Sequence, residues 1–378
     1  VKGTKYMKRL RSRPVAWYIS VASLTILLAL KVDDWRRQIV AGPVARTHLV
    51  AVESLPPGSS LSIAPNVYAS ELAWSPDSRL LAVPTYGDGV KLYDGQTAKL
   101  IRALGEEAGY WPDVAWSFDG GMLATSDYET TAENPADGQD VTRIWSADGT
   151  QQAAIPGSLI AWANRSNHIL IAPYDRGELA DLWQVWEVTA DGQTLLQSEF
   201  ERRHWRVAIS PDDQWVVTVN GTSDADAKLI VWEFASRRVV AELVSADMSD
   251  VDSLAWSPDG AWLAALYYYD CPLDLCARLE VWDTATWQSY KTFGRLPRTA
   301  RTISWSADSR WIAAGVSPTR FSLTLYPLDE QQMIRELNHP LTEHDIVRWS
   351  PDGQKLATTN FDSFEYVVTI WQAEALLP

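Results

Sequence analysis

The sequence predicts an all-β fold, a seven-bladed β-propeller of four-stranded antiparallel blades, preceded by one transmembrane α-helix. Three observations carry that expectation. The stretch Leu254–Ala264, LAWSPDGAWLA, has six relatives along the chain. An alternating apolar ribbon follows each of the seven copies. Ahead of them all, Val15–Leu30 runs for sixteen residues without a charge.

The relatives are LAWSPDSRLLA from Leu72, VAWSFDGGMLA from Val114, IAWANRSNHILIA from Ile160, VAISPDDQWVVTV from Val207, ISWSADSRWIAA from Ile303 and VRWSPDGQKLAT from Val347. Aligned on the residue before Ser or its substitute, the anchors are Trp74, Trp116, Trp162, Ile209, Trp256, Trp305 and Trp349, spaced by 42, 46, 47, 47, 49 and 44 residues. A period of this length marks a radial or stacked repeat. Within one unit, apolar residues alternate on both sides of a Ser-Pro-Asp-Gly turn, where Pro presets φ and Gly accepts a positive one. That is a strand, a tight turn and a second strand. The third strand is VKLYD from Val90, VTRIW from Val141, WQVWEV from Trp183, KLIVWEF from Lys228, RLEVWD from Arg278, SLTLYPL from Ser322 and VVTIWQ from Val367. Its β-branched and aromatic residues suit a half-buried pleated surface. A turn and a short fourth strand, such as LIRAL from Leu100 or VVAEL from Val239, complete six of the seven units.

With these marks in hand, the chain resembles the WD-repeat family from about Ser59 to Ala373. The resemblance rests on the SPD-type turns and on the Trp-Asp-like ends of strand three: Tyr93-Asp94, Trp145, Trp186, Trp232, Trp282-Asp283, Tyr326 and Trp371. Only Trp282-Asp283 keeps the literal dipeptide, and the family's Gly-His pair is missing, so its buried hydrogen-bond tetrad is not carried over. The seventh unit ends without a fourth strand. An unpaired outer edge is a liability that folds avoid, so a strand from before the first unit should close the ring. Spacing favours Ser59–Ala64, and the better-alternating His48–Glu53 competes with it.

The chain has 378 residues and a net charge of −15, unevenly spread. Residues 1–37 hold nine Lys/Arg against two Asp, or +7, which leaves −22 for the rest. An acidic propeller repels phosphate backbones, so nucleic acid is not an expected partner. Read as a helix, Pro14–Val32 spans roughly 28 Å at 1.5 Å per residue, enough for the hydrocarbon layer if Lys31 snorkels. Trp17, Tyr18 and Trp35 suit the membrane interfaces. The alternatives are a buried core helix and a cleaved signal peptide, but LKVDDWRR stands where a signal peptide wants small residues. Six Lys/Arg precede the span, which puts the N-terminus in the cytoplasm and the propeller on the periplasmic or extracellular side. The expected plan is a basic tail at 1–13, a transmembrane helix at 14–32, a stalk at 33–58 and the propeller at 59–378. Cys271 and Cys276 flank PLDL in one hairpin, close enough for a disulfide across its arms, with two free thiols as the alternative.

Among the twenty Trp, fourteen occupy repeat positions, where large rings fill the wedge between blades. Trp111, Trp183, Trp205 and Trp287 stand outside them as candidates for surface contacts. The loops between strands two and three vary and are aromatic. They supply a candidate partner-binding face: Tyr86, Tyr128, Tyr174, Arg176, Tyr267, Tyr268, Tyr269, Arg320, Phe321, Phe361, Phe364 and Tyr366. The plainer reading has half of these rings packing on neighbouring blades. Ser126–Asp140 reads as a solvated acidic loop rather than a calcium loop. No His-Glu-x-x-His, Gly-x-Ser-x-Gly, haem or phosphate-loop motif occurs. The expectation is therefore no enzyme and no cofactor or metal. A propeller hydrolase would need an acid–base pair in the channel that the sequence does not reveal. The expected function is a membrane-anchored scaffold or accessory subunit docking on other subunits of a membrane complex, with the lipid bilayer as a second partner through Val15–Leu30. The alternative is an anchored binder of a small ligand (sugar, peptide or cation).

Overall fold

The computed structural model describes residues 50–53, 60–63, 71–85, 89–105, 113–131, 134–172, 182–189, 192–201, 206–220, 227–245, 248–271, 274–297, 301–315, 323–337, 346–362 and 365–377. The tail, the expected helix at 14–32 and Trp17, Tyr18 and Trp35 lie outside these residues. Among the described residues, no helix is long and apolar enough to cross a membrane.

Two short strands come first, β1 (Val50–Glu53) and β2 (Ser60–Ile63). Blade one is β3 (Ala73–Trp74), β4 (Leu80–Pro84), β5 (Val90–Asp94) and β6 (Leu100–Leu104). Blade two is β7 (Val114–Trp116), β8 (Met122–Thr131), β9 (Asn134–Ser146) and β10 (Gln151–Pro156). Blade three is β11 (Ser158–Trp162), β12 (His168–Ala172), β13 (Leu182–Thr189) and β14 (Gly192–Glu201). Blade four is β15 (Val207–Ile209), β16 (Trp215–Asn220), β17 (Lys228–Glu233) and β18 (Val239–Leu243). Blade five is β19 (Val251–Trp256), β20 (Trp262–Cys271), β21 (Asp274–Asp283) and β22 (Gln288–Pro297). Blade six is β23 (Ile303–Trp305), β24 (Trp311–Ala314), β25 (Leu323–Pro327) and β26 (Ile334–Leu337). Blade seven holds β27 (Val347–Trp349), β28 (Lys355–Asp362) and β29 (Glu365–Gln372). Its fourth strand is β2, antiparallel to β29 with Leu61 opposite Ile370. The two competing segments thus both form strands. β1 runs parallel to β26 as a fifth strand on blade six, Val50 opposite Ile334. That moves the start of the propeller unit from residue 59 to Val50, into the segment read as a stalk.

The seven inner strands touch in cyclic order, from β3 through β7, β11, β15, β19, β23 and β27 back to β3. The ring is closed. Its core is layered, with one apolar cluster in each gap between blades. At the closing gap, Leu81, Val83 and Tyr93 of blade one pack with Ala357, Val368 and Ile370 of blade seven. Large rings hold these wedges apart, because flat blades radiating from an axis leave more space with distance from it. Trp183, expected at the surface, is instead fully buried between blades three and four. Trp287 packs edge-on between Trp215 and Trp256, at 6.0 and 5.9 Å.

Polar atoms tie blade to blade through one repeated contact. The anchor indole N–H donates to the carbonyl one residue before the anchor of the preceding blade. Trp116 reaches Ala73 O at 3.2 Å, Trp256 reaches Ala208 O at 3.2 Å, and Trp305 reaches Ala255 O at 3.0 Å. Trp74 reaches Arg348 O at 3.1 Å and so joins the first blade to the last.

The turn after each inner strand satisfies itself. In blade two, Ser117 Oγ donates to Asp119 and accepts the Met122 amide at 2.8 Å, while Asp119 accepts the Gly121 amide at 2.9 Å. The Gly121 amide, then the Ser117 hydroxyl, hold the Asp119 carboxyl below the usual range. The residue after this Asp is left-handed throughout: Gly120, Gly260 and Gly353, but Ser78, Asp213 and Ser309 elsewhere. Where Gly is absent, the side chain bonds the turn of the preceding blade. Ser78 accepts the Asp352 amide at 2.9 Å, and Ser309 the Asp259 amide at 3.2 Å. Blade three has Asn164-Arg165-Ser166 in place of Ser-x-Asp, and Asp213 of blade four caps it instead. Its carboxylate accepts the Asn164 and Arg165 amides at 2.6 and 2.9 Å.

Two outcomes follow for stability. Trp116→Phe keeps the ring and loses only the bond to Ala73 O, so urea unfolding should show a loss of about 1 kcal/mol with little added packing cost. At Ser309, glycine relieves the left-handed strain but removes the acceptor, whereas alanine keeps the strain and also removes it. The urea midpoints should therefore fall in the order wild type, Ser309→Gly, Ser309→Ala.

Candidate functional site

Inner strands run from the loop face to the turn face, so the residues that open them ring one mouth of the central channel. The hairpins between second and third strands lie at the same end. One position before each anchor stand Ala73, Ala115, Ala161, Ala208, Ala255, Ser304 and Arg348, all half-buried. Seven strands crowding one axis leave room for small side chains there. Arg348 is the single long one. Its guanidinium pairs with Glu71 of blade one and donates to Val347 O at 2.8 Å. Arg348 thus meets blade one twice, through its carbonyl to Trp74 and its side chain to Glu71.

Across the mouth, three blades bring together a carboxylate, a phenol and two guanidinium groups. Asp252 is the second residue of β19 and accepts a hydrogen bond from the Tyr268 hydroxyl. Tyr268 is buried on β20, its amide donating to Asp250 O at 2.7 Å and its carbonyl accepting from Ser249 N at 2.9 Å. Arg206 leads into β15 and Arg301 into β23, both exposed. Burial pushes the Asp252 carboxyl up. The Tyr268 hydrogen bond and the charges of Arg206 and Arg301 pull it back without overcoming that, and Asp250 adds to the rise. A carboxyl so placed can hold and hand over a proton beside guanidinium groups that fix an anion. The sequence did not reveal this cluster. Only the tyrosine run had been singled out, because Asp252, Arg206 and Arg301 belong to three repeats and carry no local pattern.

A second polar cluster lies inside blade five. Tyr267 OH donates to Glu280 Oε2 at 2.6 Å, Ser289 Oγ donates to Glu280 Oε1 at 2.5 Å, and Ser245 Oγ meets Tyr267 OH at 2.7 Å. Burial, then the hydrogen bond to Glu280, raise the Tyr267 hydroxyl far above its usual value. Arg278 sits over the Tyr269 ring at 4.3 Å.

The predicted partner face therefore needs correction at its centre. Tyr267, Tyr268 and Tyr269 are residues of β20, not of a loop, and are 0%, 6% and 7% exposed. Their backbone continues a ladder that reaches Cys271 opposite Asp274, and this extension draws the rings into the gaps between blades. Tyr128, Phe361 and Tyr366 likewise lie on β8, β28 and β29, with Phe361 paired to Tyr366. Tyr86, Tyr174, Arg176, Arg320, Phe321 and Phe364 fall outside the described residues. Cys276 lies opposite Tyr269 and is disulfide-bonded; the chain's one other cysteine, Cys271, ends β20. Most of Ser126–Asp140 is hairpin strand rather than loop, with Asp127 bonded to Arg143 at 2.8 Å and Asp140 to Ser158 at 2.5 Å. Among the described residues, no group of three His, Cys, Asp or Glu could hold a metal.

No family model matches the chain, and no curated protein does. Among solved structures it is similar to Hydrazine Synthase of Kuenenia stuttgartiensis, with a TM-score of 0.62 and 18% identity over 88% of this chain and 99% of that one. This likeness is one of fold. It also corrects the expectation of no enzyme: that expectation rested on an interaction-type propeller lacking familiar motifs, and a chain of this fold is found in an enzyme.

The raised Asp252 carboxyl has a consequence for pH. A group whose native pKa lies above its unfolded value of about 3.9 favours folding while protonated and opposes it once ionised. Asp252→Asn should therefore raise the melting temperature at pH 7. The advantage over wild type should shrink as pH falls through the native value of Asp252 and vanish below about pH 4, as scanning calorimetry across pH would show.

Proposed function

We propose that this chain is the propeller component of a membrane-attached assembly, held to the bilayer by Val15–Leu30 and docking on other subunits through its loop face outside the cytoplasm. One observation carries the reading: the loop face presents exposed guanidinium groups at the rim of the channel mouth. On the turn face, serine and aspartate side chains are consumed by bonds within and between turns. On the loop face, Arg206 and Arg301 are exposed beside half-buried Asp252, a mixed-charge rim suited to binding. The sixteen-residue uncharged span after six basic residues supports anchoring and orientation. A disulfide at Cys276 suits an oxidising compartment. The repeated turns and the Trp282-Asp283 end of strand three support a WD-repeat-like origin. The likeness to hydrazine synthase supports an enzyme-bearing assembly as the setting.

Membrane fractionation followed by purification in mild detergent tests this reading. The full chain should resist an alkaline carbonate wash, be cut by protease added from outside, and elute with companions in fixed stoichiometry. A carbonate-soluble or solitary chain would contradict it.

A further inference from the structure

A cavity of about 280 Å³ opens on the channel wall between the inner strands of blades one, two and three. β11 carries a register shift between Leu159 and Ala161, the one inner strand of the first three blades with such an irregularity. Four anchor indoles donate to the carbonyl before the preceding anchor, and by that pattern the Trp162 indole would donate to the carbonyl of Ala115. It does not: Trp162 is 6% exposed and its N–H has no partner among the described residues. Both Trp162 and Ala115 line the cavity. The Trp183 and Trp349 indoles also lack partners, but neither lines this space. At the other end stand Glu71 and Asp113, three residues before their own anchors. Arg348 engages Oε1 of Glu71 through both Nε and Nη2, which leaves Oε2 for another donor. Between the two ends the lining includes Leu72, Val114 and Leu159.

We propose that this cavity binds a small cationic amine that also carries an oxygen acceptor, its ammonium held by Glu71 Oε2 and its acceptor by the Trp162 N–H. Along the strand direction these ends are three residues apart, about 10 Å of backbone, so a spacer of some five carbons is the shortest that spans them. The negative charge of the chain outside residues 1–37 favours entry of a cation. Nothing in this site depends on the membrane anchor or on the loop-face partner.

Calorimetric titration of the full chain in detergent with 5-aminopentan-1-ol, pentylamine and 1,5-pentanediol tests it. The amino alcohol should bind at least about tenfold more tightly than either analogue, the order expected for one charge-assisted or buried hydrogen bond. Trp162→Phe should reduce the amino alcohol to the affinity of pentylamine and leave pentylamine unchanged. Ala115→Leu, which fills the cavity, should abolish binding of all three. Equal affinity for the amino alcohol and pentylamine, an unchanged amino alcohol affinity in Trp162→Phe, or no binding by wild type would each overturn the proposal.

Discussion

The ring is tied at four of its seven gaps by one repeated contact, an indole N–H of one inner strand donating to a carbonyl of the strand before it. A blade alone is a twisted sheet with two bare faces and two edges, and would not be stable in water. Stacking seven of them buries both faces in successive apolar layers, and the indole bonds set the spacing at which those layers meet. The last gap is the test of any ring. Here Trp74 reaches back to Arg348 O, Arg348 pairs with Glu71, and β2 fills the outer place of blade seven. Three independent contacts, from residues more than 270 positions apart for the two that involve Arg348, close the same gap.

The turn face adds a second set of links that follows from backbone sterics. A left-handed residue is required after each turn aspartate, and glycine meets that need at no steric cost. Ser78, Asp213 and Ser309 meet it with strain, and each uses its side chain to bind the turn next door. Strain at these positions is thus offset by contact between blades. Asp213 matters most, because the blade three turn lacks its own Ser-x-Asp and relies on a neighbour's carboxylate.

Most of the fold was legible because each repeat states it afresh. The anchors, the turns and the third strands recur within a few residues of fixed spacing, and spacing alone selected Ser59–Ala64 as the closing segment. What was not legible is what the ring brings together. The competing segment also became a strand, but its parallel place beside β26 depends on an edge that only the assembled blade six offers. Tyr267–Tyr269 read as part of a variable aromatic loop; these residues lengthen β20 instead. Asp252, Tyr268, Arg206 and Arg301 gather from three blades, and no window of sequence holds the four. The unpartnered Trp162 N–H is a matter of side-chain placement between blades, which alternation of apolar residues does not reveal.

The repeat is broken at three places near the axis: a guanidinium among small side chains, a raised carboxyl at the mouth, an indole without its carbonyl. All three presuppose a closed ring. Native-state hydrogen exchange on the amides of β2 addresses that most directly. Exchange of the β2 amides only through global unfolding, at the rate of the most protected amides of β28 and β29, is the result this account predicts. Exchange of β2 ahead of its blade, at rates typical of exposed segments, would contradict it.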